Sequence, residues 1–211
     1  MPGTGRLRYR PEIDGLRAIA VVPVMLFHAG FQAISGGFVG VDIFFVISGY
    51  LITGIILEDL HTGRFTLRRF YERRMRRILP ALLVVALVCV PMAWLWMFPS
   101  EFKDFAQSLM AIATFSSNVL FWRESGYFAP AAELKPMLHT WSLSVEEQFY
   151  VIFPLLLLAD RRFGVRVLPL VIVMTVASFA ASIAMARYNP TANFYLIASR
   201  AWELGVGVLL A

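Results

Sequence analysis

The sequence predicts an all-α protein, a polytopic bundle of transmembrane helices. Two observations come from composition: 59% of the residues are hydrophobic and only 16% are charged, against about 45–50% and about 25% in soluble chains. The third is a series of apolar stretches that approach the roughly 20 residues a helix needs to cross the hydrocarbon. This composition excludes a disordered chain, a secreted disulfide scaffold and a nucleic-acid-binding domain, despite a net charge of +5.

Several apolar stretches are long enough to be spans. We predict crossings at 17–34, 38–57, 79–98, 141–159 and 167–186, with another beginning near 195. The first is a retained span and not a signal peptide, because no small-x-small cleavage site follows it. The stretch 102–122 is weaker, since it carries Lys103, Asp104 and a polar patch at 116–118. The chain ends inside an apolar run, so we expect it to be part of a longer protein.

Basic residues predict the orientation. Of the 19 basic residues, four lie in 1–17, seven in 58–78 and three in 161–166. The positive-inside rule places these zones, and with them the N-terminus, on the cytoplasmic side. Zones 58–78 and 161–166 share a side only if an even number of crossings separates them. We therefore expect 102–122 to lie at the outer surface or to re-enter; the alternative is that 161–166 is external.

Ionisable residues inside the first two spans are functional candidates, because burying charge in a bilayer is costly. His28 follows Arg17 by eleven residues, which puts both on one helix face roughly 16 Å apart along the axis. If the turn centres near Ser35, Asp42 lies at the depth of His28. A carboxylate there would orient the imidazole, as in catalytic triads. The alternative is a structural polar contact between two helices.

The segment 64–77 contains seven arginines, including Arg73, Arg74, Arg76 and Arg77. Composition alone favours a role in binding anionic lipid headgroups or in fixing topology. The alternative is a clamp for the phosphates of a soluble ligand, which suits the planar fork of arginine.

A third group of polar residues enters the apolar segment 139–154. On a helix, Ser142, Glu146 and Tyr150 form one i,i+4 ridge, while Glu147 lies on another face. Paired carboxylates at the edge of a span predict a hydroxyl-binding or proton-handling pocket, or else simply an interfacial position. Nearby side chains that would share the pocket are His139 and Trp141.

The remaining features predict no cofactor chemistry. Arg200 and Glu203, one turn apart, predict an internal ion pair. The three histidines have no metal-ligand spacing, and the sequence contains none of the phosphate-binding, dinucleotide-binding, zinc-protease or nucleophile-elbow motifs.

Four stretches in order carry a family resemblance: YRPEIDGLRAIAVVPVMLFH (9–28), GGFVGVDIFFVISGYLI (36–52), FYERRMRRILPA (70–81) and LHTWSLSVEEQFYVIFP (138–154), followed by SRAWELGVGVLLA (199–211). Together they resemble the acyltransferase 3 family of membrane acyltransferases. The resemblance implies that 1–211 is the N-terminal portion of the family membrane domain, with about five to seven of about ten helices.

The family implies a function. Its members pass an acyl group, usually acetyl, from cytoplasmic acyl-CoA to a hydroxyl of an extracytoplasmic carbohydrate such as lipopolysaccharide or another polysaccharide. The resemblance therefore implies a multi-pass protein of the bacterial inner membrane. Its expected partners are acetyl-CoA, a glycan or lipid-linked sugar acceptor and membrane lipids, without a metal or nucleic acid.

Family motifs also imply residue roles. The basic-x10-His pattern falls on Arg17 and His28, and the Ser-x-x-x-Glu pattern falls on Ser142 and Glu146. The R-x-x-R motif fits either Arg73–Arg76 or Arg74–Arg77, and the sequence does not choose. The resemblance implies that these arginines hold the phosphates of CoA.

The implied reaction takes place at His28, which acts as a general base or as a nucleophile. Asp42 would orient it, Glu146 and Glu147 would position or deprotonate the acceptor, and His139, Trp141 and Ser142 would bind it. The alternative function is a proton-coupled membrane transporter, in which the same ionisable residues form a relay.

Overall fold

The computed structural model describes residues 11–125, 135–164 and 166–211. Arg6, Arg8 and Arg10 of the first basic zone lie outside the described residues. Every regular element in the described ranges is helical, which confirms the all-α prediction. The α-helices are α1 Pro11–His28, α2 Gly40–His61, α3 Leu67–Trp96, α4 Pro99–Ala113, α5 Ser117–Glu124, α6 Thr140–Phe163, α7 Val167–Tyr188, α8 Pro190–Tyr195 and α9 Ile197–Leu209, with 3-10 turns at Gln32–Ile34 and Gly37–Val39.

Four helical segments have the length and apolar composition to cross a membrane, as expected of a multi-pass membrane protein. They are Gly37–His61, Leu67–Trp96, Thr140–Phe163 and Val167–Tyr188.

Two helix boundaries differ from the predicted spans. Helix α1 ends at His28 instead of continuing to 34. Helix α3 begins at Leu67 instead of 79, where Thr66 caps it by accepting a hydrogen bond from the Arg69 amide at 3.2 Å. Arginine is a good helix former, so the arginine-rich segment forms the first turns of α3. The arginines therefore belong to the same helix as the apolar span that follows them.

Helix α9 packs between α2 and α7 at very short range. A side-chain carbon on Gly49 of α2 would overlap the carbonyl oxygen of Leu204, and one on Gly207 of α9 would overlap that of Val46. Small residues at such positions let helix backbones approach in membranes. The adjoining core includes Phe45 and Leu204, both completely buried.

Both basic zones that flank the later helices lie at one end of the bundle. Arg161, near the end of α6, donates a hydrogen bond to the carbonyl oxygen of Leu60, near the end of α2, at 3.2 Å. The zones 58–78 and 161–166 are therefore neighbours, as expected from the arginine pattern. Which side of the membrane this end faces stays a prediction.

The weak stretch 102–122 is not one helix. It is divided between α4, of 15 residues, and α5, of eight, and each is shorter than the roughly 20 residues required to cross. At the break, Phe115 has φ of 51°. The Gln148 side chain donates to the Phe115 carbonyl and to Asn118 Oδ1, both at 2.8 Å. A broken helix whose freed carbonyl is bonded inside the protein agrees with the predicted re-entrant segment.

Candidate active site

A cavity of about 570 Å³ lies between α1, α2, α3 and α6. Its wall is largely apolar, with residues such as Phe44, Ile52 and Leu143. The polar lining residues are Asp14, Arg17, Ser48, Tyr50, Arg74, Arg77, Ser142, Glu146 and Tyr150. Five residues expected at the site thus surround one space: Arg17, Arg74, Arg77, Ser142 and Glu146.

The structure separates the two possible R-x-x-R pairs. Arg74 and Arg77 line the cavity. Arg73 instead bonds Asp59 of α2, and Arg76 points outward, 79% exposed, with Glu72 at 2.7 Å. Residues three apart share a helix face, and the face that carries Arg74 and Arg77 is the one that borders the cavity, where Arg77 stays exposed.

Arg74 is fixed by two neighbours on α6. Its Nε and Nη2 donate to Glu147 Oε1 at 3.2 and 3.1 Å, and its guanidinium carbon lies 3.7 Å from the centre of the Tyr150 ring. Glu147 therefore faces Arg74 and does not line the cavity. Among the described residues, no carboxylate lies within ion-pair distance of Arg77, which lines the cavity.

The predicted ridge on α6 is confirmed, because Ser142, Glu146 and Tyr150 all line the cavity. Glu146 is 6% exposed, and within the described part of the chain its Oε1 has no hydrogen-bond partner. Ser48 of α2 lines the same cavity as Glu146 and Tyr150. A buried carboxyl oxygen without a partner is costly unless a ligand completes it.

His28 lies outside this cavity, as the exposed last residue of α1. Its Nδ1 is 2.8 Å from the Val24 carbonyl oxygen. A carbonyl only accepts, so Nδ1 carries the proton and Nε2 is free to accept one. The Val24 carbonyl thus orients the imidazole and leaves Nε2 outside this hydrogen bond.

His139 precedes α6 and is bonded to Ser142 of the cavity wall. Partial burial lowers the pKa of His139, to which the nearby His28 adds a smaller electrostatic effect; His139 is therefore neutral at pH 7. Ser142 of the cavity wall donates to the His139 carbonyl at 3.1 Å.

The expected contact between His28 and Asp42 is wrong. Gly37 lies against the Pro23 carbonyl and Gly40 against that of Ala20, so the turn centres near residue 30 instead of 35. Asp42 therefore lies near the level of Ala18, about 15 Å from His28 along the α1 axis. Asp42 bonds Arg200 Nη1 at 2.6 Å.

Three further side chains, Arg200, Glu203 and Trp141, lie in an ion pair or in the core and do not line the cavity. The predicted ion pair of Arg200 and Glu203 is confirmed at 2.7 Å. Trp141 is 6% exposed and packs against Phe45 and Tyr195 in the core. Its ring does not face the cavity, so the expectation that it binds the acceptor is not supported by its position.

Sequence reasoning did not single out Ser48. The available signal was a hydroxyl within the apolar run 43–52, one turn beyond Phe44 on the same helix face. Such a residue also bonds its own helix backbone commonly, so its position beside Glu146 follows only from how α2 packs on α6.

Comparisons with known proteins agree with this arrangement. A family model described as an acyltransferase domain, that of the acyltransferase 3 family, matches residues 10–211. The O-acetyltransferase OatA of Staphylococcus aureus strain NCTC 8325 / PS 47 is 39% identical over 152 residues, 71% of this chain and 25% of the relative. OatA of strain MRSA252 gives the same values.

The chain spans about a quarter of the length of these curated relatives. No solved structure matches it. The family model extends over nearly the entire chain, and the chain therefore belongs to the acyltransferase 3 family.

Proposed function

We propose that this chain forms part of a membrane O-acyltransferase that moves an acetyl group from acyl-CoA to a carbohydrate hydroxyl. The observation that carries the proposal is the cavity in which Arg17, Arg74 and Arg77 converge beside the buried Glu146. The names of the OatA relatives support an O-acetyltransferase. We infer a cytoplasmic basic end in the bacterial inner membrane, with the acceptor on the opposite side.

The three arginines would bind the phosphates of acyl-CoA. Guanidinium groups form strong, often bidentate hydrogen bonds with phosphate oxygens. Asp14 lies 3.8 Å from Arg17 and Glu147 binds Arg74, whereas Arg77 has no such partner among the described residues. Arg77 is therefore the cation most available to an incoming phosphate, with Arg74 recruited as its bond to Glu147 opens.

His28 would act at the other end of the same helix. It lies roughly 16 Å from Arg17 along α1, a distance suited to an extended pantetheine arm. In direct transfer, His28 Nε2 takes the proton of the acceptor hydroxyl while the oxygen attacks the thioester carbonyl. The C–S bond then breaks, and the imidazolium returns the proton to the CoA thiolate.

A covalent route through an acyl-imidazole uses the same residue. Here Nε2 attacks the thioester carbonyl, the C–S bond breaks and CoA leaves as the thiolate. The acceptor hydroxyl then attacks the acyl-imidazole carbonyl, the C–N bond breaks, and the proton of the hydroxyl passes to the released imidazole. A burst of free CoA in the absence of acceptor favours this route, whereas its absence favours direct transfer. In both routes Ser142, His139 and Glu146 would position the acceptor.

The arginine register gives the sharpest test of donor binding. In the full-length protein in proteoliposomes, Arg77→Gln should raise KM for acetyl-CoA about tenfold or more, because hydrogen bonds to charged groups contribute about 1.5–3 kcal/mol. Arg76→Gln, on the outward face of the same helix, should leave KM unchanged. A rise confined to Arg76→Gln would favour the other register, and failure of the wild type to bind acetyl-CoA would favour a transporter.

A further inference from the structure

We propose that Arg69 and Arg76, on the outward face of α3, bind the phosphate of an anionic phospholipid headgroup. The composition of 64–77 leaves a lipid ligand and a soluble ligand as alternatives for the entire segment. The structure divides that segment, because Arg74 and Arg77 border the cavity whereas Arg76 points away from it. Arg69 and Arg76 are thus arginines that acyl-CoA binding does not use, and their ligand does not depend on the proposed function.

Both arginines share a stripe of α3 with exposed apolar side chains. Steps of seven or four residues lead along the helix from Arg69 through Arg76, Leu83 and Leu87 to Trp94. Because seven residues of an α-helix fall about 20° short of two full turns, these five residues lie within about 40° of one another. Leu87 and Trp94 are 72% and 73% exposed, and Arg69 and Arg76 are exposed as well. One face of α3 is therefore basic near its start and bare and apolar further along.

The length of this stripe matches a lipid bilayer. From Arg76 to Trp94 the helix axis advances about 27 Å, which is close to the roughly 30 Å of the hydrocarbon core. Helix α3 is long and apolar enough to cross a membrane, and almost none of its most apolar part is buried. Tryptophan rings prefer the membrane–water boundary, and arginine side chains extend from apolar surface toward the headgroups. The bare face therefore fits acyl chains, and its two arginines lie at the level of the headgroup phosphates.

Charge complementarity favours an anionic lipid over a zwitterionic one. A guanidinium binds phosphate oxygens through paired hydrogen bonds, and basic residues near a membrane surface attract anionic lipid. Arg76 lies 2.7 Å from Glu72, but both side chains are exposed, and an ion pair of this kind contributes little. The pair therefore opens readily for a phosphate. Arg73, which lies between the two arginines in sequence, instead bonds Asp59 of α2.

The test measures lipid binding by the full-length protein in a neutral detergent. Native mass spectrometry follows titration with phosphatidylglycerol, and phosphatidylcholine with the same acyl chains is the reference. We expect the wild type to bind phosphatidylglycerol more tightly than phosphatidylcholine. Combining Arg69→Gln with Arg76→Gln should weaken phosphatidylglycerol binding about tenfold or more, because each basic residue near the surface contributes about fivefold. Phosphatidylcholine binding should not change, which shows that the double variant is folded.

Arg68→Gln is the matched control. It removes the same charge from the same level of α3, but Arg68 lies about 100° around the helix from Arg69, off the bare face. Its substitution should weaken phosphatidylglycerol binding less than about twofold, since it leaves both proposed phosphate ligands in place.

Equal affinity of the wild type for the two lipids would overturn the proposal, as would equal losses in Arg68→Gln and in the double variant. A wild type that binds neither lipid would show that another protein segment covers the face. Displacement by acetyl-CoA or inorganic phosphate of the lipid that the double variant fails to bind would assign these arginines to a soluble phosphate ligand instead. Each of these results contradicts the lipid site without bearing on acyl transfer, which is measured separately by the release of CoA.

Discussion

Replacing Gly49 with alanine should destabilise the fold, because the new methyl group has no space. It would overlap the carbonyl oxygen of Leu204 on α9. Gly207, which also lies on α9, packs close to the Gly49 Cα. The obstructing atoms belong to the backbone, so no side-chain rotation relieves the overlap. The helices must separate and loosen the packing of Phe45. Overpacking of this kind costs about 1–3 kcal/mol.

Gly54→Ala is the matched control on the same helix. A side-chain carbon there meets nothing within 4 Å, and alanine stabilises a helix interior by about 0.5–1 kcal/mol relative to glycine. The two variants should thus change the free energy of unfolding with opposite signs. Reversible unfolding of the full-length protein in detergent measures both. If Gly49→Ala were as stable as Gly54→Ala, the close α2–α9 contact would be refuted.

Three more predictions concern polar groups. Arg74→Leu leaves Glu147 buried without its cation and should lower the free energy of unfolding by about 3–5 kcal/mol. Adding Glu147→Leu should recover much of the lost stability. A double variant as unstable as Arg74→Leu alone would contradict the ion pair. The lowered pKa of His139 means that the unfolded chain binds a proton that the folded chain resists, so stability should fall as pH drops through about 6.5. His139→Gln should flatten that dependence in pH-resolved unfolding, and an unchanged slope would count against it. Gln148→Leu leaves the Phe115 carbonyl without its hydrogen-bond donor, which costs about 1–3 kcal/mol of stability. Hydrogen exchange of the backbone amides should therefore increase around 114–118. Unchanged protection there would show that the break between α4 and α5 does not depend on Gln148.

Helical periodicity was sufficient for the parts of the site that lie on one helix. The ridge of Ser142, Glu146 and Tyr150 depends only on i,i+4 spacing, and the structure confirms it. The R-x-x-R register was not accessible in the same way. Both pairs have identical spacing, and the choice depends on the rotation of α3, which is set by contacts such as that between Arg74 and Glu147.

Contacts between helices also explain the incorrect expectations. The position of Asp42 along the axis of α1 depends on where the chain turns between α1 and α2. Close backbone contacts of Gly37 and Gly40 with α1 determine that turn. The hydropathy pattern placed the start of α3 too late, because a run of arginines resembles the end of a membrane span. These arginines are nevertheless helical, and some of them form ion pairs inside the bundle.

The most direct test of the central claim compares acetyl transfer by wild type and His28→Ala in the full-length protein, with labelled acetyl-CoA and its binding measured in the same preparations. We expect both proteins to bind acetyl-CoA with the same Kd, because the arginines lie at the far end of α1, and only the wild type to release CoA. Release of CoA by His28→Ala at the wild-type rate would contradict thioester chemistry at His28.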